Sequence, residues 1–319
     1  MNFKLFLNKY TEFLERFFSQ SKQNKVIGID VGTSSIKAVE ICRLRNFLEL
    51  QRWALEPVEN GDVKTALQRL CTRMSIKDQI LVASVSGKGI LIRYVDMFRM
   101  SLQEVRKSFK YEADKYFPFD LQSIYTDFYI ADPQSKEKRM TMLLVAAKKE
   151  IVDERVKVFK EIGIDLAFVT TNSIAMANAF DNGFRSHDAA GANAILDIGA
   201  SLSSLMILDK NGSPVFTRDM FMGSQDIAKE GIGNLVNEIQ LSVDYLAMEK
   251  NIPVKELFLL GAGLFLKETE GALEKGLNIP VKIWNPLAGF RLGPEVASSQ
   301  IGPFSSQLGV AIGLALTKI

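Results

Sequence analysis

Two short segments decide how this sequence is interpreted: Ile29-Asp30-Val31-Gly32-Thr33-Ser34 and, later in the chain, Leu196-Asp197-Ile198-Gly199-Ala200-Ser201. Each segment ends an apolar run with an aspartate and a glycine. A second β-rich run follows, from Ile36 to Ile41 in the first copy and from Ser203 to Leu208 in the second. This pattern predicts a strand, a tight turn and another strand, formed twice in one chain.

The two turns carry residue types that hold phosphate groups. An aspartate at a strand end can hold a divalent cation through water, and a glycine lets the turn backbone approach a phosphate closely. Amides and hydroxyls for phosphate oxygens would come from Gly32, Thr33, Ser34 and Ser35 in the first turn and from Gly199, Ala200 and Ser201 in the second. One such turn alone is commonly an ordinary hairpin, but two facing turns would clamp a nucleotide.

A third glycine segment strengthens this interpretation. The apolar run Glu256 to Leu260 leads into Gly261-Ala262-Gly263, and a helical pattern follows from Leu264 to Lys275. A strand, a glycine turn and a helix in this order allow backbone to lie flat against a nucleoside, beside the amides of a helix N-terminus. Gly261, Ala262 and Gly263 are therefore predicted to contact the nucleotide.

The order of two D-x-G turns and a late G-x-G resembles the actin-like ATPase superfamily, in the branch that includes FtsA-, PilM- and GspL-like proteins. The finer resemblance is to the PilM-like proteins of type IV pilus assembly. It is carried by Gly28 to Glu40, Tyr116-Phe117-Pro118-Phe119, Val145 to Glu150, Phe216-Thr217-Arg218-Asp219, Leu235 to Ile239 and Leu308 to Leu316. The resemblance implies an α/β, actin-like (ribonuclease H-like) fold of two lobes, with an inserted subdomain in the first.

The resemblance also implies a division of the chain. An amphipathic helix and linker would occupy residues 1–24, and the first lobe would occupy residues 25–190, with its inserted subdomain at about 62–145. The second lobe would occupy residues 191–319. In the second lobe, Gly223-Ser224-Gln225-Asp226-Ile227 is followed almost at once by Gly231-Ile232-Gly233. A helical subdomain found there in the family is therefore shortened or missing, which would weaken contacts to the ribose and base.

ATP and Mg²⁺ are the cofactors that the resemblance implies. Asp30 and Asp197 would hold the magnesium through water and act as the catalytic carboxylates, with the turns holding phosphate oxygens. The acceptor for an attacking water would come from the start of the helix after the strand that returns the chain to the main sheet, where Glu150 is the candidate, beside Asp153. Lys37 and Glu238 are further candidate nucleotide neighbours. We expect at most a weak ATPase, and hydrolysis stays open.

A scaffold role follows from the same resemblance. The protein would bind ATP and dock the cytoplasmic peptide of a PilN-like inner-membrane pilus protein, in a groove between the main and inserted parts of the first lobe. The alternatives are a nucleotide-free GspL-like adaptor and, with less support, a polymerising FtsA-like filament protein or a small-molecule kinase. A kinase would need a sugar-binding site in the cleft, and none is visible in the sequence.

Composition excludes some other classes of protein. The chain has 39 basic and 37 acidic residues, a net charge of +2, so it lacks the basic field that nucleic-acid binding needs. Cys42 and Cys71 have no metal-ligand neighbours and are expected to be reduced, packed thiols. The single histidine, His187, falls in a polar stretch that we expect to join the lobes, so histidine catalysis is not expected.

The first residues form a separate pattern. Between residues 3 and 18, apolar positions recur at helical spacing: Phe3, Phe6, Tyr10, Phe13, Leu14, Phe17 and Phe18. This predicts an amphipathic helix whose aromatic face either contacts a membrane surface or a partner, or folds back onto the core. The sequence shows no transmembrane stretch or signal peptide. We therefore expect a cytoplasmic protein, peripheral to the inner membrane.

Overall fold

The computed structural model describes residues 25–77, 79–130, 138–183, 191–261, 265–297 and 299–317. The predicted N-terminal helix, the linker histidine His187, and two residues of the third glycine segment, Ala262 and Gly263, lie outside the described residues. Among the helices that the structure describes, none is both long enough and apolar enough to cross a membrane.

A six-stranded sheet forms the first lobe. Its strands are β1 (Lys25–Val31), β2 (Ser35–Arg43), β3 (Leu48–Pro57), β4 (Ile80–Val85), β8 (Phe168–Thr171) and β14 (Arg291–Leu292), in the order β14-β3-β2-β1-β4-β8. Strands β1 and β2 form the predicted first hairpin, in which Asp30 lies opposite Lys37. Strand β4 runs parallel to β1, and β8 runs parallel to β4.

Two helices cover one face of this sheet: α1 (Val63–Arg73) and α3 (Lys149–Lys160). Asp62 caps α1, because its carboxylate accepts a hydrogen bond from the amide of Thr65. Leu67 and Leu70 of α1 and Phe159 of α3 are fully buried in one cluster with strand residues of the sheet. The helix α3 is thereby fixed beneath the first turn.

A second, smaller sheet is the inserted subdomain. It consists of β5 (Ile90–Phe98), β6 (Ile124–Ile130) and β7 (Arg139–Lys148), all antiparallel, in the order β5-β7-β6. The helix α2 (Leu102–Glu112) begins with a capping box between Ser101 and Glu104, and Phe109 and Phe117 pack together against the sheet. The insertion therefore begins at about β5. The predicted start at residue 62 is too early, since α1 and β4 belong to the first lobe.

The second lobe contains a five-stranded sheet with the order β11-β10-β9-β12-β13. These strands are β9 (Ala192–Ile198), β10 (Ser203–Leu208), β11 (Pro214–Met220), β12 (Val254–Gly261) and β13 (Val281–Ile283). Its helices are α5 (Ser224–Glu230), α6 (Gly233–Glu249) and α7 (Phe265–Leu277). Twelve residues lie between the end of β11 at Met220 and the start of α6 at Gly233, and seven of them form α5, in agreement with the predicted shortening of this lobe.

Two helices join the lobes: α4 (Asn172–Gly183) and α9 (Gly309–Ala315). They share one buried cluster with strand residues from both large sheets, including Val39 of the first and Phe258 of the second. The last part of the chain then returns to the first lobe. Strand β14 pairs with β3, followed by α8 (Pro294–Ala297), and α9 packs on β1. The predicted division at residue 191 therefore separates elements that the structure joins.

Candidate functional site

A cleft of about 380 Å³ lies between the two repeated turns. Eleven of the residues predicted to hold a nucleotide line it: Asp30, Gly32, Thr33, Ser34, Ser35, Lys37, Asp197, Gly199, Ala200, Ser201 and Gly261. The hairpins β1–β2 and β9–β10 point their turns at one another, which is how segments far apart in sequence reach one site.

An equivalent backbone hydrogen bond closes each of the two turns. The amide of Gly32 donates to the carbonyl of Ser35 at 3.1 Å, and the amide of Gly199 donates to the carbonyl of Leu202 at 2.9 Å. Within the described part of the chain, the amides of Thr33 and Ser34 and those of Ala200 and Ser201 donate no hydrogen bond. Each turn thus offers free backbone donors, the groups that bind phosphate oxygens in such turns.

The second turn is fixed to the start of α5. The carbonyls of Gly199 and Ala200 accept hydrogen bonds from the amides of Ser224 and Gln225 at 2.8 and 3.1 Å. A trans peptide bond directs its C=O and N–H groups in opposite directions, so the amides of Ala200 and Ser201 point away from α5. At Gly223 a Cβ atom would lie 2.3 Å from the carbonyl oxygen of Ala200, so only glycine allows this approach.

The hydroxyls of the two turns meet across the cleft. The Oγ1 atom of Thr33 and the Oγ atom of Ser201 are 3.0 Å apart, within hydrogen-bond distance. This contact links the two turns at one point of the cleft. A phosphate group held by both turns would have to separate these two hydroxyls.

Charged side chains surround the turns. The Nζ atom of Lys37 donates to the Oδ2 atom of Asp30 at 3.2 Å, and Asp30 is buried. Burial, together with the nearby charges of Asp30 and Asp219, raises the pKa of Asp197 to about 6, against a lowering by the charge of Lys37. Both aspartates therefore line one poorly hydrated site, in which Lys37 is paired with Asp30.

Arg155 is a cleft residue that the sequence analysis missed. Its side chain extends from α3 into the cleft, where Nη2 donates a long hydrogen bond of 3.4 Å to the carbonyl of Val31. Its Nε atom is buried and has no hydrogen-bond partner among the described residues. Burial lowers the pKa of Arg155, and the charge of Asp30 opposes that effect. The available signal was an arginine four positions before Phe159, on the apolar face of α3.

Two predicted site residues are not brought to the cleft. Glu150 is exposed in the first turn of α3 and is not among the described residues that line the cleft. Glu238 of α6 instead forms an ion pair with Arg218, which also donates to the hydroxyl of Ser242. The other acceptor candidate, Asp153, accepts a hydrogen bond from the hydroxyl of Tyr125 at 3.0 Å, on the far side of α3.

The donor set around the turns suits magnesium bound largely through water. The described residues contain no group of three or more His, Cys, Asp or Glu side chains placed to hold a metal ion. Magnesium, however, keeps several waters and is commonly held by one or two carboxylates together with substrate phosphates. Asp30 and Asp197 supply two carboxylates beside free phosphate-binding amides, so the residues present fit a magnesium–nucleotide complex.

A second concavity, of about 480 Å³, lies between the first sheet and the inserted sheet. We call it the groove. Its walls come from β6, β8 and α3, and its apolar residues include Phe128, Leu143, Val145, Val152, Val156 and Phe168. Among the described residues, three charged ones line it, Asp127, Asp153 and Lys160. Burial raises the pKa of Asp127, with a smaller lowering by the charge of Arg106.

Both strands that border the groove are edge strands. In the described sheets, β6 is the last strand of the inserted sheet and β8 is the last strand of the first sheet. An edge strand has a row of N–H and C=O groups that no neighbouring strand pairs, and an extended peptide can pair with them. The groove thus combines apolar walls with two backbone edges.

Comparison with known proteins agrees with this architecture. Residues 28–233 and 231–319 match the family model of the type IV pilus assembly protein PilM. The chain is similar to a structure of the PilM–PilN type IV pilus biogenesis complex, with a TM-score of 0.77, 20% identity, and coverage of 91% of this chain and 97% of that chain.

Two other solved structures have lower similarity. The cytoplasmic domain of EpsL, an inner-membrane component of the Vibrio cholerae type II secretion system, has a TM-score of 0.50 and 8% identity, covering 92% of this chain and 96% of that one. A Bacteroides thetaiotaomicron protein with an actin-like ATPase fold has a TM-score of 0.48 and 11% identity, covering 85% and 94%. The fold of this chain is the one seen in the PilM–PilN complex structure.

Proposed function

The chain belongs to the PilM family of type IV pilus assembly proteins, and we propose that it binds ATP with Mg²⁺ and docks the cytoplasmic peptide of a PilN-like inner-membrane protein. It is an actin-like scaffold component of this machinery. The groove carries the docking part of the proposal. The two D-x-G turns and their free amides carry the nucleotide part.

The groove supports docking of a short extended peptide. Its volume and its apolar walls suit several side chains of a peptide, and β6 and β8 offer backbone groups along its two sides. Two of its three described charged residues, Asp127 and Asp153, are acidic. A peptide with apolar side chains and a positive charge would therefore complement it.

Docking can be tested with one charge placed inside the groove. The side chain of Val156 lines the groove, whereas the next residue on α3, Lys157, is 75% exposed. Val156→Glu and Lys157→Gln change the net charge by the same amount. A fluorescent peptide with the sequence of the partner's cytoplasmic segment should bind Val156→Glu at least about 10-fold more weakly, because a buried unpaired charge is costly.

The variant Lys157→Gln is the control for Val156→Glu. Lys157→Gln should keep the affinity of the unsubstituted protein, since its side chain points to solvent. Equal binding by the unsubstituted protein and by folded Val156→Glu, measured by fluorescence anisotropy, would overturn docking in this groove. Docking to such a partner would hold the protein at the cytoplasmic face of the inner membrane, and the amphipathic segment 3–18 would add a membrane contact.

The nucleotide part rests on the residues that line the cleft. Bound magnesium would neutralise charge on the phosphates, and Asp30 and Asp197 are the residues that would hold it. Lys37 and the free amides of the two turns would contact phosphate oxygens. Calorimetric titration with ATP and Mg²⁺ tests this proposal. Asp30→Ala and Asp197→Ala should each abolish binding, and retained binding in both folded variants would contradict it.

One observation favours a second candidate, a nucleotide-free adaptor. The site is partly satisfied by its own residues, because Lys37 pairs with Asp30 and the hydroxyls of Thr33 and Ser201 meet. An adaptor of this kind would dock its partner without a nucleotide. The same titration separates the two candidates: a folded protein that binds the peptide but gives no heat with ATP and Mg²⁺ is the adaptor.

A further inference from the structure

Arg155 is the only residue of α3 among the described residues that line the cleft. We infer that its guanidinium is a ligand for the terminal phosphate of a nucleoside triphosphate and makes the site bind ATP more tightly than ADP. This inference rests on the proposed nucleotide function. It states that a residue outside the two D-x-G turns distinguishes ATP from ADP.

The hydrogen bonds of Arg155 are incomplete. A guanidinium has five N–H donors, and the described partner of this one is the Val31 carbonyl at 3.4 Å. Its Nε atom is buried, and the part of the chain that the structure describes offers it no acceptor. Leaving a buried charged donor without a partner is costly. A ligand with several oxygen acceptors would remove that cost.

Other partly buried arginines of the chain are better satisfied. Arg52 donates to the carboxylate of Glu40 and to the carbonyl of Met74. Arg218 donates to the carboxylate of Glu238 and to the hydroxyl of Ser242. These two have a carboxylate and a second acceptor within the protein, as structural arginines commonly do. Arg155 has neither within the described part of the chain, although Asp30 is close enough for its charge to be felt.

Among the described residues of the cleft, Arg155 is the cation that has no hydrogen-bonded carboxylate partner. Lys37 is already paired with Asp30, and Asp197 adds a second carboxylate. Without Arg155, the charged side chains near a polyphosphate would be two carboxylates and one lysine that is already paired with a carboxylate. The planar fork of arginine suits two oxygens of one phosphate, which a lysine does not match.

The position of Arg155 points to the end of the phosphate chain. Its described contact is with Val31 at the first turn, and the cleft is also lined by Ser86, which follows β4 of the first lobe. The third glycine segment, expected to contact the nucleoside, begins at Gly261 in the second lobe. A nucleotide lying between these two sides would direct its last phosphate toward Arg155. A diphosphate would be one phosphate shorter at that end.

The test compares ATP and ADP in two matched variants. Arg155→Gln and Lys157→Gln each replace one basic residue of α3 with glutamine, two positions apart, and Lys157 is exposed. Dissociation constants for ATP and ADP with Mg²⁺ would be measured by calorimetry, with circular dichroism to show that each variant is folded. We expect Arg155→Gln to weaken ATP binding about 10- to 100-fold and ADP binding less than about threefold. Lys157→Gln should change neither.

The outcomes separate this inference from the function on which it rests. If the unsubstituted protein binds no ATP, the nucleotide function and this inference both fail. If it binds ATP and folded Arg155→Gln keeps the same ratio of ATP to ADP affinity, the inference alone fails. If Arg155→Gln does not fold, the unsubstituted protein can be tested with inorganic phosphates instead. Tripolyphosphate has a third phosphate that can reach Arg155, so it should bind more tightly than pyrophosphate. Equal affinities for these two probes would overturn the inference.

Discussion

The backbone amide of Gly87 donates a 2.9 Å hydrogen bond to the Oδ2 atom of Asp219, and so joins the first lobe to the second. Gly87 lies in the turn between β4 and β5, at the entrance to the inserted sheet. The Oδ1 atom of Asp219 accepts a second bond, of 2.7 Å, from the hydroxyl of Ser204 beside the second turn. The Nζ atom of Lys88 also lies 5.2 Å from the ring centre of Phe221. One carboxylate therefore links the inserted sheet to the cleft.

We predict that Asp219→Ala lowers the free energy of unfolding by about 1 to 3 kcal/mol, because it removes a charged acceptor from two hydrogen bonds. Ser204→Ala is the matched control, since it removes only the second of these bonds. Urea unfolding followed by circular dichroism measures both variants. If Asp219→Ala were no more destabilising than Ser204→Ala, the bond to Gly87 would make no contribution to stability.

Asp197 should give the protein a specific pH dependence. Its pKa is about 6 in the folded protein, against an ordinary value of 3.8. A raised carboxyl pKa means that the folded state binds the proton more tightly than the unfolded state. The contribution to stability is therefore complete below about pH 4 and is lost as the pH rises through about 6.

The variant Asp197→Asn isolates this effect, because asparagine stays neutral at every pH. From pH 4 to pH 7 we predict that Asp197→Asn gains stability relative to the unsubstituted protein, by at most about 3 kcal/mol at roughly 1.4 kcal/mol per pKa unit. The gain should be smaller if the part of Asp197 open to the cleft is well hydrated. Parallel denaturant titrations at several pH values measure it. A difference that stays constant from pH 4 to pH 7 would show that the pKa of Asp197 is ordinary.

The repeated turns made much of the fold and of the cleft predictable. A D-x-G turn after an apolar run has a local physical cause, and its repetition in one chain indicates two paired lobes. Asp30 and Asp197 could therefore be placed together from sequence. The start of the inserted subdomain could not be predicted from sequence, because α1 has the same apolar pattern whether it packs on the first sheet or on another.

The residues that sequence analysis missed depend on long-range packing. Arg155 reaches the cleft because Phe159, one turn later, anchors α3 beneath the first sheet. Glu150, in the first turn of the same helix, stays at the surface. Gly28 is another example, since a Cβ atom there would lie 2.0 Å from the carbonyl oxygen of Ala311 in α9. Such contacts join distant parts of the chain, and local patterns carry no signal for them.

Glu238 is predicted not to contact the nucleotide. Its carboxylate is paired with Arg218, and it is not among the described residues of the cleft. Glu238→Gln should therefore leave ATP affinity unchanged within about twofold. It should cost less than about 1 kcal/mol of stability, because both side chains of the pair are about 40% exposed. Calorimetry and thermal unfolding measure these two quantities. A large loss of ATP affinity in the folded variant would show that Glu238 does contact the nucleotide.

The contact between α4 and α9 leads to a prediction about the two-lobed fold itself. A Cβ atom on Gly313 would lie 1.7 Å from the carbonyl oxygen of Ala175. This neighbour is helix backbone, which a side-chain rotation cannot move. Gly313→Ala should therefore force the two helices apart and lower the free energy of unfolding by at least about 3 kcal/mol.

Gly271→Ala is the control for Gly313→Ala, since Gly271 also lies in a helix, α7, and a Cβ atom there would meet nothing within 4 Å. Alanine is the better helix former, so this variant should gain up to about 1 kcal/mol. Soluble yield and thermal unfolding measure both variants. Because α4 and α9 lie between the two large sheets, Gly313→Ala should also weaken ATP binding, which needs both turns. A Gly313→Ala protein that melts at the temperature of the unsubstituted protein would contradict the close helix contact.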